Sequence, residues 1–276
     1  MMPSLDSARI SHTSLVQALT VTAWRAGRVI MSHFGTKDIE TKPDNSPVTA
    51  ADREADALIV SELRDIAPGI PIVSEEGSGT NITSTTPRFF LVDPLDGTRE
   101  FISGSGEFTV NIALIEDNMP IFGLVYAPAL SELYVTLGEG KAVKTSLQTD
   151  DDLPVWPHLE LTPLHTRTPP ETGLTAVVSR SHLDEATKQF LADRNISDTT
   201  PGGSSIKFCL LAEGKADVYP RFGRTMEWDI AAGHAILNAA GGLVLDEAGK
   251  PMRYGKLERG LDNPGFVAWG RARAQE

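Results

Sequence analysis

The stretch of this chain best equipped for chemistry is Phe89-Phe90-Leu91-Val92-Asp93-Pro94-Leu95-Asp96-Gly97-Thr98. An apolar run that reads as a buried strand leads into a loop with carboxylates at Asp93 and Asp96, stiffened by Pro94 and free to turn at Gly97. Two carboxylates at that spacing, with the Leu95 carbonyl between them, suit a hard cation such as Mg²⁺. Gly97, Thr98 and Arg99 would offer backbone N–H groups to a phosphate if a helix begins there. The plainer reading is an Asx turn after a strand. Three further acidic sites, with four carboxylates between them, bear on the choice. Asp52 follows Ser46-Pro47-Val48-Thr49, Glu75 and Glu76 lie in Ser74-Glu75-Glu76-Gly77, and Asp229 follows Trp228 ahead of Ile230-Ala231-Ala232-Gly233. Each has an ordinary alternative: Asp52 and Asp229 as helix caps, Glu75 and Glu76 as a solvated strand end.

The elements that must position these groups follow from periodicity. Leu15, Leu19, Ala23, Ala26 and Ile30 recur at helical spacing, which predicts a helix from about Ser11 to Phe34, ended by Gly35. A loop with Pro43 and Pro47 leads to a second helix, Ala50 to Ile66, stopped by Pro68-Gly69. Pro71 to Val73 and Phe89 to Val92 read as strands around a polar loop. Strands at Phe108 to Ile115, Ile121 to Tyr126 and Leu133 to Thr136, with a turn at Glu116-Asp117-Asn118, imply an antiparallel sheet. Lys144 to Gly173 is polar and proline-rich, and reads as a subdomain boundary or a long surface loop. Beyond it come strand Ala176 to Val178, helices Leu183 to Arg194 and Ser205 to Ala212, strand Asp217 to Tyr219, helix Ile230 to Ala240 and strand Leu243 to Leu245. That alternation suggests an α/β arrangement. The expected organisation is an α+β part over residues 1–140 with most of the acidic positions, and an α/β part over 141–276.

Composition narrows the function classes. The 276 residues are 41% hydrophobic and 22% charged, an ordinary globular balance. A chain of this length buries about 70% of its unfolded surface, enough for a core without disulfides. The net charge of −12 and the lack of a dense Lys/Arg cluster argue against a nucleic-acid polymer as partner. A small phosphorylated ligand stays open, because a bound cation inverts the local sign. The single cysteine, Cys209, excludes an intrachain disulfide and fits a reducing compartment. No signal peptide or membrane-spanning run is apparent.

Taken together and in order, the four acidic elements resemble the pattern D…EE…DP(I/L)DGT…WDxxA of the lithium-sensitive, Mg²⁺-dependent phosphatases of the inositol monophosphatase superfamily. The likeness runs across nearly the whole chain. It implies a layered α-β-α-β-α sandwich, with two or three Mg²⁺ ions held by Glu75, Asp93, the Leu95 carbonyl, Asp96 and Asp229, and with Glu76 nearby. It further implies that Thr98, oriented by Asp52, positions an attacking water or takes its proton, with Glu75 helping to hold that water.

Other segments resemble the 3′(2′),5′-bisphosphate nucleotidases of CysQ type. They are Arg99-Glu100-Phe101-Ile102, Gly106 to Leu114, Val178-Ser179-Arg180-Ser181-His182, Gly203-Ser204-Ser205-Ile206-Lys207-Phe208, Ala216 to Phe222 and Leu261 to Phe266. By that resemblance Leu95, Asp96, Gly97, Thr98 and Asp229 also meet substrate. Ser179 and His182 line the nucleoside side, while Gly203, Ser204, Lys207 and Arg221 face a distal phosphate. Without the resemblance, Lys207 reads as an exposed helical lysine, while for His182 a surface position at a helix start and a ligand contact are about equally common. Cys209 reads as a small buried hydrophobe and Trp228 as a packing residue that fixes Asp229.

The implied reaction is hydrolysis of adenosine 3′,5′-bisphosphate to AMP and phosphate in sulfur assimilation, with PAPS as a further substrate and Li⁺ as inhibitor. The alternatives are an inositol or sugar monophosphatase with the same metal centre and a non-catalytic phosphate-ligand sensor. The expected partner is a small nucleoside bisphosphate. Monomer and homodimer both stay open. The expected location is the cytoplasm, free or peripheral at the inner membrane.

Overall fold

A strand buried on both faces is written as an almost continuous apolar run, and this chain holds three in succession. They are β4 (Arg88–Asp96), β5 (Thr109–Glu116) and β6 (Met119–Ala127). They sit within a seven-stranded sheet of order β3-β4-β5-β6-β7-β8-β9, where β3 is Ile72–Ser74, β7 Glu132–Gly138, β8 Lys141–Ser146 and β9 Thr162–Pro163. β3 runs parallel to β4 and every other neighbouring pair is antiparallel. The computed structural model describes residues 11–36, 39–41, 47–77, 79, 82–83, 86–138, 140–154, 156–179 and 184–271.

Alternation along these strands divides the core. Phe90, Val92, Ile112, Leu114, Phe122 and Leu124 pack on one face with Leu19, Ile30 and Ile59 of α1 (His12–His33) and α2 (Ala50–Ile66). Phe89, Leu91, Ala113, Ile115 and Val125 face the other way, onto α5 (Ile206–Ala212) and α6 (Glu227–Ala239). A period of two in a doubly buried strand therefore sorts side chains between two helical layers. α6 lies unusually close to the sheet: a Cβ on Gly123 of β6 would stand 2.3 Å from the Ala232 carbonyl. Only a glycine permits that approach.

The far side of α5 and α6 meets a five-stranded sheet, order β11-β10-β12-β14-β13. β10 (Leu174–Ser179) pairs in parallel with β11 (Ile196–Gly202) and β12 (Val218–Arg221). β14 (Phe266–Trp269) runs antiparallel to both β12 and β13 (Leu243–Asp246). Phe190 of α4 (Glu185–Ala192) closes the outer face over Leu174, Ala176 and Val218. The layers are α-β-α-β-α, as the resemblance implied. The antiparallel entry of β14 makes the second sheet mixed.

Both long N-terminal helices match their expected spans, because their ends carry chemistry. Ser11 caps α1 by accepting from the Ser14 N–H, and Thr49 and Asp52 form a capping box on α2. The strands that sequence reading passed over are short or polar: β1 (Ile39–Thr41) pairing with β2 (Pro47–Thr49), then β8, β9, β11 and β14. β8 and β9 extend the seven-stranded sheet into the segment that read as a loop from Lys144. α4 starts at Glu185, with Asp184 as its cap. No described helix is long and apolar enough to cross a membrane.

Candidate active site

The Asp93-Pro94-Leu95-Asp96 segment is the bulged end of β4 rather than a loop beyond it. Asp93 faces Asn111 and Asp96 faces Thr109 on β5, so β4 carries an extra residue between the two aspartates. Pro94 has no N–H for the ladder, which makes a bulge the natural outcome there. Leu95 N–H donates to Asp93 Oδ1 at 3.0 Å, the turn that the plainer reading anticipated. Gly97 then takes φ +93° and caps α3 (Thr98–Ser103). Glu75 joins from β3, pinned by its N–H to the Val92 carbonyl at 3.1 Å. The Ser74 hydroxyl donates to the buried Asp56 carboxylate on α2, which fixes the strand end that Glu75 leaves.

Four carboxylates converge on this end of the sheet. Asp93 is 1% exposed. Burial and then the charges of Glu75, Asp96 and Asp229 hold its carboxyl well above the usual carboxylate range, and Glu75 hydrogen-bonds to it directly. Asp229 is likewise raised, by burial first and then by Asp96. Among the described residues no three acidic, histidine or cysteine side chains close into a cation cage as they stand. Donors of the protein engage several of the oxygens instead. The donor set nonetheless fits a hard divalent cation: oxygen ligands only, among which the carboxyls of Asp93 and Asp229 are held above the usual range by burial and then by neighbouring charge.

Asp52 and Asp229 cap their helices and face the site at once, because a carboxylate has two oxygens. Asp52 Oδ2 accepts from Thr49 N at 2.8 Å and Thr49 Oγ1 at 2.6 Å, leaving Oδ1 to accept from Thr98 Oγ1 at 3.2 Å. Asp229 Oδ2 accepts from Met226 N–H at 2.7 Å. The start of α6 is held further by Glu227, which is fully buried and accepts from Gly255 N, Lys256 N and the Lys256 ammonium. Trp228, in the first turn of α6, is partly buried and packs against the core.

The same cleft has a cationic side. Asp96, Gly97 and Asp229 line it together with Ser179, Ser204, Lys207 and Arg221, around ≈ 630 Å³ of free space that includes solvent at its mouth. Lys207 is 8% exposed, which overturns the reading of it as a surface lysine. Burial lowers its ammonium from 10.5 to about 8, against the pull of Asp96. Its Nζ stands 5.5 Å above the Tyr219 ring. Ser204 adopts φ +49°, a left-handed conformation that brings its hydroxyl to Asp96 Oδ2 at 2.5 Å.

The remaining expected positions are less uniform. Gly203 abuts Glu107, where a Cβ would meet the Glu107 carbonyl at 2.7 Å. Glu76 lies within electrostatic reach of Arg53. His182 lies outside the described residues. Cys209 is fully buried. Sequence reasoning gave no role to Thr109, Asn111, Ser205 or Arg224. The signal for the first two was present: polar residues two apart in an otherwise apolar, doubly buried strand.

A family model described as the inositol monophosphatase family matches residues 12–274. The curated 3′(2′),5′-bisphosphate nucleotidase CysQ of Shigella flexneri is 48% identical over 248 residues, spanning 88% of this chain and 95% of its own. Its namesake in Buchnera aphidicola is 40% identical, over 88% of this chain and 89% of its own. The crystal structure of CysQ from Bacteroides thetaiotaomicron superposes with a TM-score of 0.79 at 39% identity, covering 95% of this chain and 98% of that one. The Thermotoga maritima IMPase, 24% identical with a TM-score of 0.72 over 91% of each chain, shares the fold.

Proposed function

The chain belongs to the inositol monophosphatase family, and from that membership we propose that it is a Mg²⁺-dependent 3′(2′),5′-bisphosphate nucleotidase, hydrolysing adenosine 3′,5′-bisphosphate to AMP and phosphate. One observation carries the reading: a single cleft sets Asp96 and Asp229 together with Lys207 and Arg221. A ligand with two phosphates matches both sides, since one phosphate would be neutralised at the acidic side and the other at the cationic side.

In this reading Glu75, Asp93, the Leu95 carbonyl, Asp96 and Asp229 hold the metal, and Glu76 stands outside them. Mg²⁺ bound there supplies positive charge to the reacting phosphate and lowers the pKa of water. The Thr98 hydroxyl points its proton at Asp52 Oδ1, so its oxygen lone pairs are left to accept from an attacking water. Thr49 keeps Asp52 from turning away. Glu75, anchored to Val92, orients the water from the β3 side. The water oxygen bonds to phosphorus as the bond to the ribose 3′-oxygen breaks. One water proton stays with the phosphate and the other ends on the leaving 3′-hydroxyl.

Lys207, Arg221, Ser204 and Gly203 then hold the phosphate that does not react, and Ser179 with His182 borders the nucleoside. Catalysis of this kind is positioning and charge stabilisation, with no covalent phosphoenzyme. The test is phosphate release from adenosine 3′,5′-bisphosphate and inositol 1-phosphate in parallel, with Mg²⁺ and then with added Li⁺. Preference for the nucleotide, suppressed by Li⁺, is the expected result. Preference for inositol phosphate would overturn the substrate assignment and leave the metal chemistry standing.

A further inference from the structure

Three polar side chains behind the carboxylates have no part in the reaction as derived above. Thr109, Asn111 and Ser205 are 0%, 1% and 1% exposed. Burying an amide is costly unless its hydrogen bonds are made. Asn111 makes them in two directions. Its Nδ2 donates to Asp96 Oδ2 at 3.3 Å and to Ser205 Oγ at 2.9 Å, while its Oδ1 accepts from Thr109 Oγ1 at 2.9 Å. Ser205 Oγ in turn donates to the Asp229 backbone carbonyl at 2.7 Å. Across the β4 bulge, Asn111 stands directly opposite Asp93 and Thr109 opposite Asp96. One neutral amide therefore joins the strand end bearing Asp93 and Asp96 to the first turn of α6, which bears Asp229.

We propose that Asn111 is a positioning residue that, through Ser205, sets the spacing of Asp96 against Asp229 and so determines how tightly the carboxylate group takes Mg²⁺. The proposal rests on the reading that Asp96 and Asp229 are metal ligands. An amide suits the task because its two N–H groups leave one nitrogen at a fixed angle, and it adds no charge beside a crowded anionic group. It also occupies one oxygen of Asp96, together with Ser204, which restricts how that carboxylate can rotate. The second link reaches α6 through its backbone, so the position of the Asp229 main chain is fixed separately from its side chain.

The experiment is Mg²⁺ titration by calorimetry, without substrate, on the wild-type chain, Asn111→Leu, Ser205→Ala and the double variant, each first checked for cooperative thermal unfolding. Asn111→Leu is expected to weaken Mg²⁺ binding about 10–100-fold. Its kcat at low Mg²⁺ should fall and recover as Mg²⁺ is raised, with the KM for nucleotide little changed. Ser205→Ala should lose less, and the double variant should be no weaker than Asn111→Leu, because both cut one chain. A folded Asn111→Leu with wild-type Mg²⁺ affinity overturns the proposal, and so does a double variant whose losses multiply. If Asn111→Leu does not fold, Ser205→Ala decides: an Mg²⁺-rescued loss supports the bridge and wild-type affinity overturns it. Asp96→Asn, run alongside, separates the two levels. Wild-type Mg²⁺ affinity there removes the ligand assignment and this proposal with it, whereas its loss there with none in Asn111→Leu removes this proposal alone.

Discussion

The two sides of the cleft carry opposite charge and pay for burial in opposite ways. On the acidic side Asp93 and Asp229 are pushed up, by burial and by one another's neighbours, so without a cation they tend to hold protons. On the cationic side Lys207 is pushed down to about 8, so without an anion it holds its proton less firmly than an exposed lysine does. Each side is most comfortable when the counter-charge it lacks arrives. Burial is the leading cause on both sides; the difference is that like charges add to it at Asp93 and Asp229, whereas at Lys207 the pull of Asp96 opposes it. A site of this kind is held ready by the fold at a cost in stability that ligand binding offsets.

The sharpest way to break the comparison is Asp96→Asn, which removes charge from the acidic side without removing volume. Phosphate release should drop by at least about 10²–10³-fold, the scale seen when a preorganised electrostatic group is lost. Thermal unfolding without Mg²⁺ should be little changed, since the amide oxygen still accepts from Ser204 and Asn111. A folded variant with substantial turnover would remove Asp96 from the machinery. On the cationic side, Lys207→Met keeps the stem and deletes the charge. A charged hydrogen bond worth about 1.5–3 kcal/mol predicts a ~10–100-fold loss on the bisphosphate nucleotide, with adenosine monophosphates nearly unaffected. Equal losses on both classes would count against a distal-phosphate role.

A smaller effect sharpens the contrast through pH. Above 3.8 the folded chain keeps carboxyl protons at Asp93 and Asp229 that the unfolded chain has released, so stability falls as pH rises from there through their raised values. Added Mg²⁺ should flatten that slope in urea unfolding. At Lys207 the sign reverses. Between about 8 and 10.5 the unfolded chain holds a proton that the folded chain lacks, so stability rises with pH across that window. That rise should vanish in Lys207→Met. The smallest expected effect belongs to Arg224→Ala at the exposed rim of the cationic side, where Arg224 pairs with Asp262 at 2.7 Å. A change of only a few-fold in KM, shrinking with salt, is expected for a solvent-screened charge. A loss as large as that of Lys207→Met would place Arg224 deeper in recognition than its exposure suggests.

Legibility followed the physics of each element. The first two helices were readable because caps and punctuation mark their ends: Ser11 and Gly35 for one, the Thr49–Asp52 box and Pro68-Gly69 for the other. The central strands were readable because both faces are apolar. β11 was not, since Ile196-Ser197-Asp198-Thr199-Thr200 lies at a sheet edge with polar side chains in water. β1 with β2 and β9 were too short to show a period. At the site, the carboxylates stood out because their types and order repeat a known pattern. Thr109 and Asn111 were overlooked because hydrogen-bonded polar residues inside a strand carry no such signature, only the anomaly of being there.

The sequence by itself determined which acids exist, where the helices begin and end, and that the second residue of each capping pair is a carboxylate with an oxygen to spare. What it could not determine is which distant groups those acids would meet. Ser204 reaches Asp96 across 108 positions and Ser205 reaches Asn111 across 94. Lys207 is buried only because α5 is sandwiched between two sheets. Local propensity acts over a few residues along the chain, whereas these contacts depend on how layers close over one another. Only the tertiary packing could place an amide between two halves of a charged site and withdraw a lysine from water.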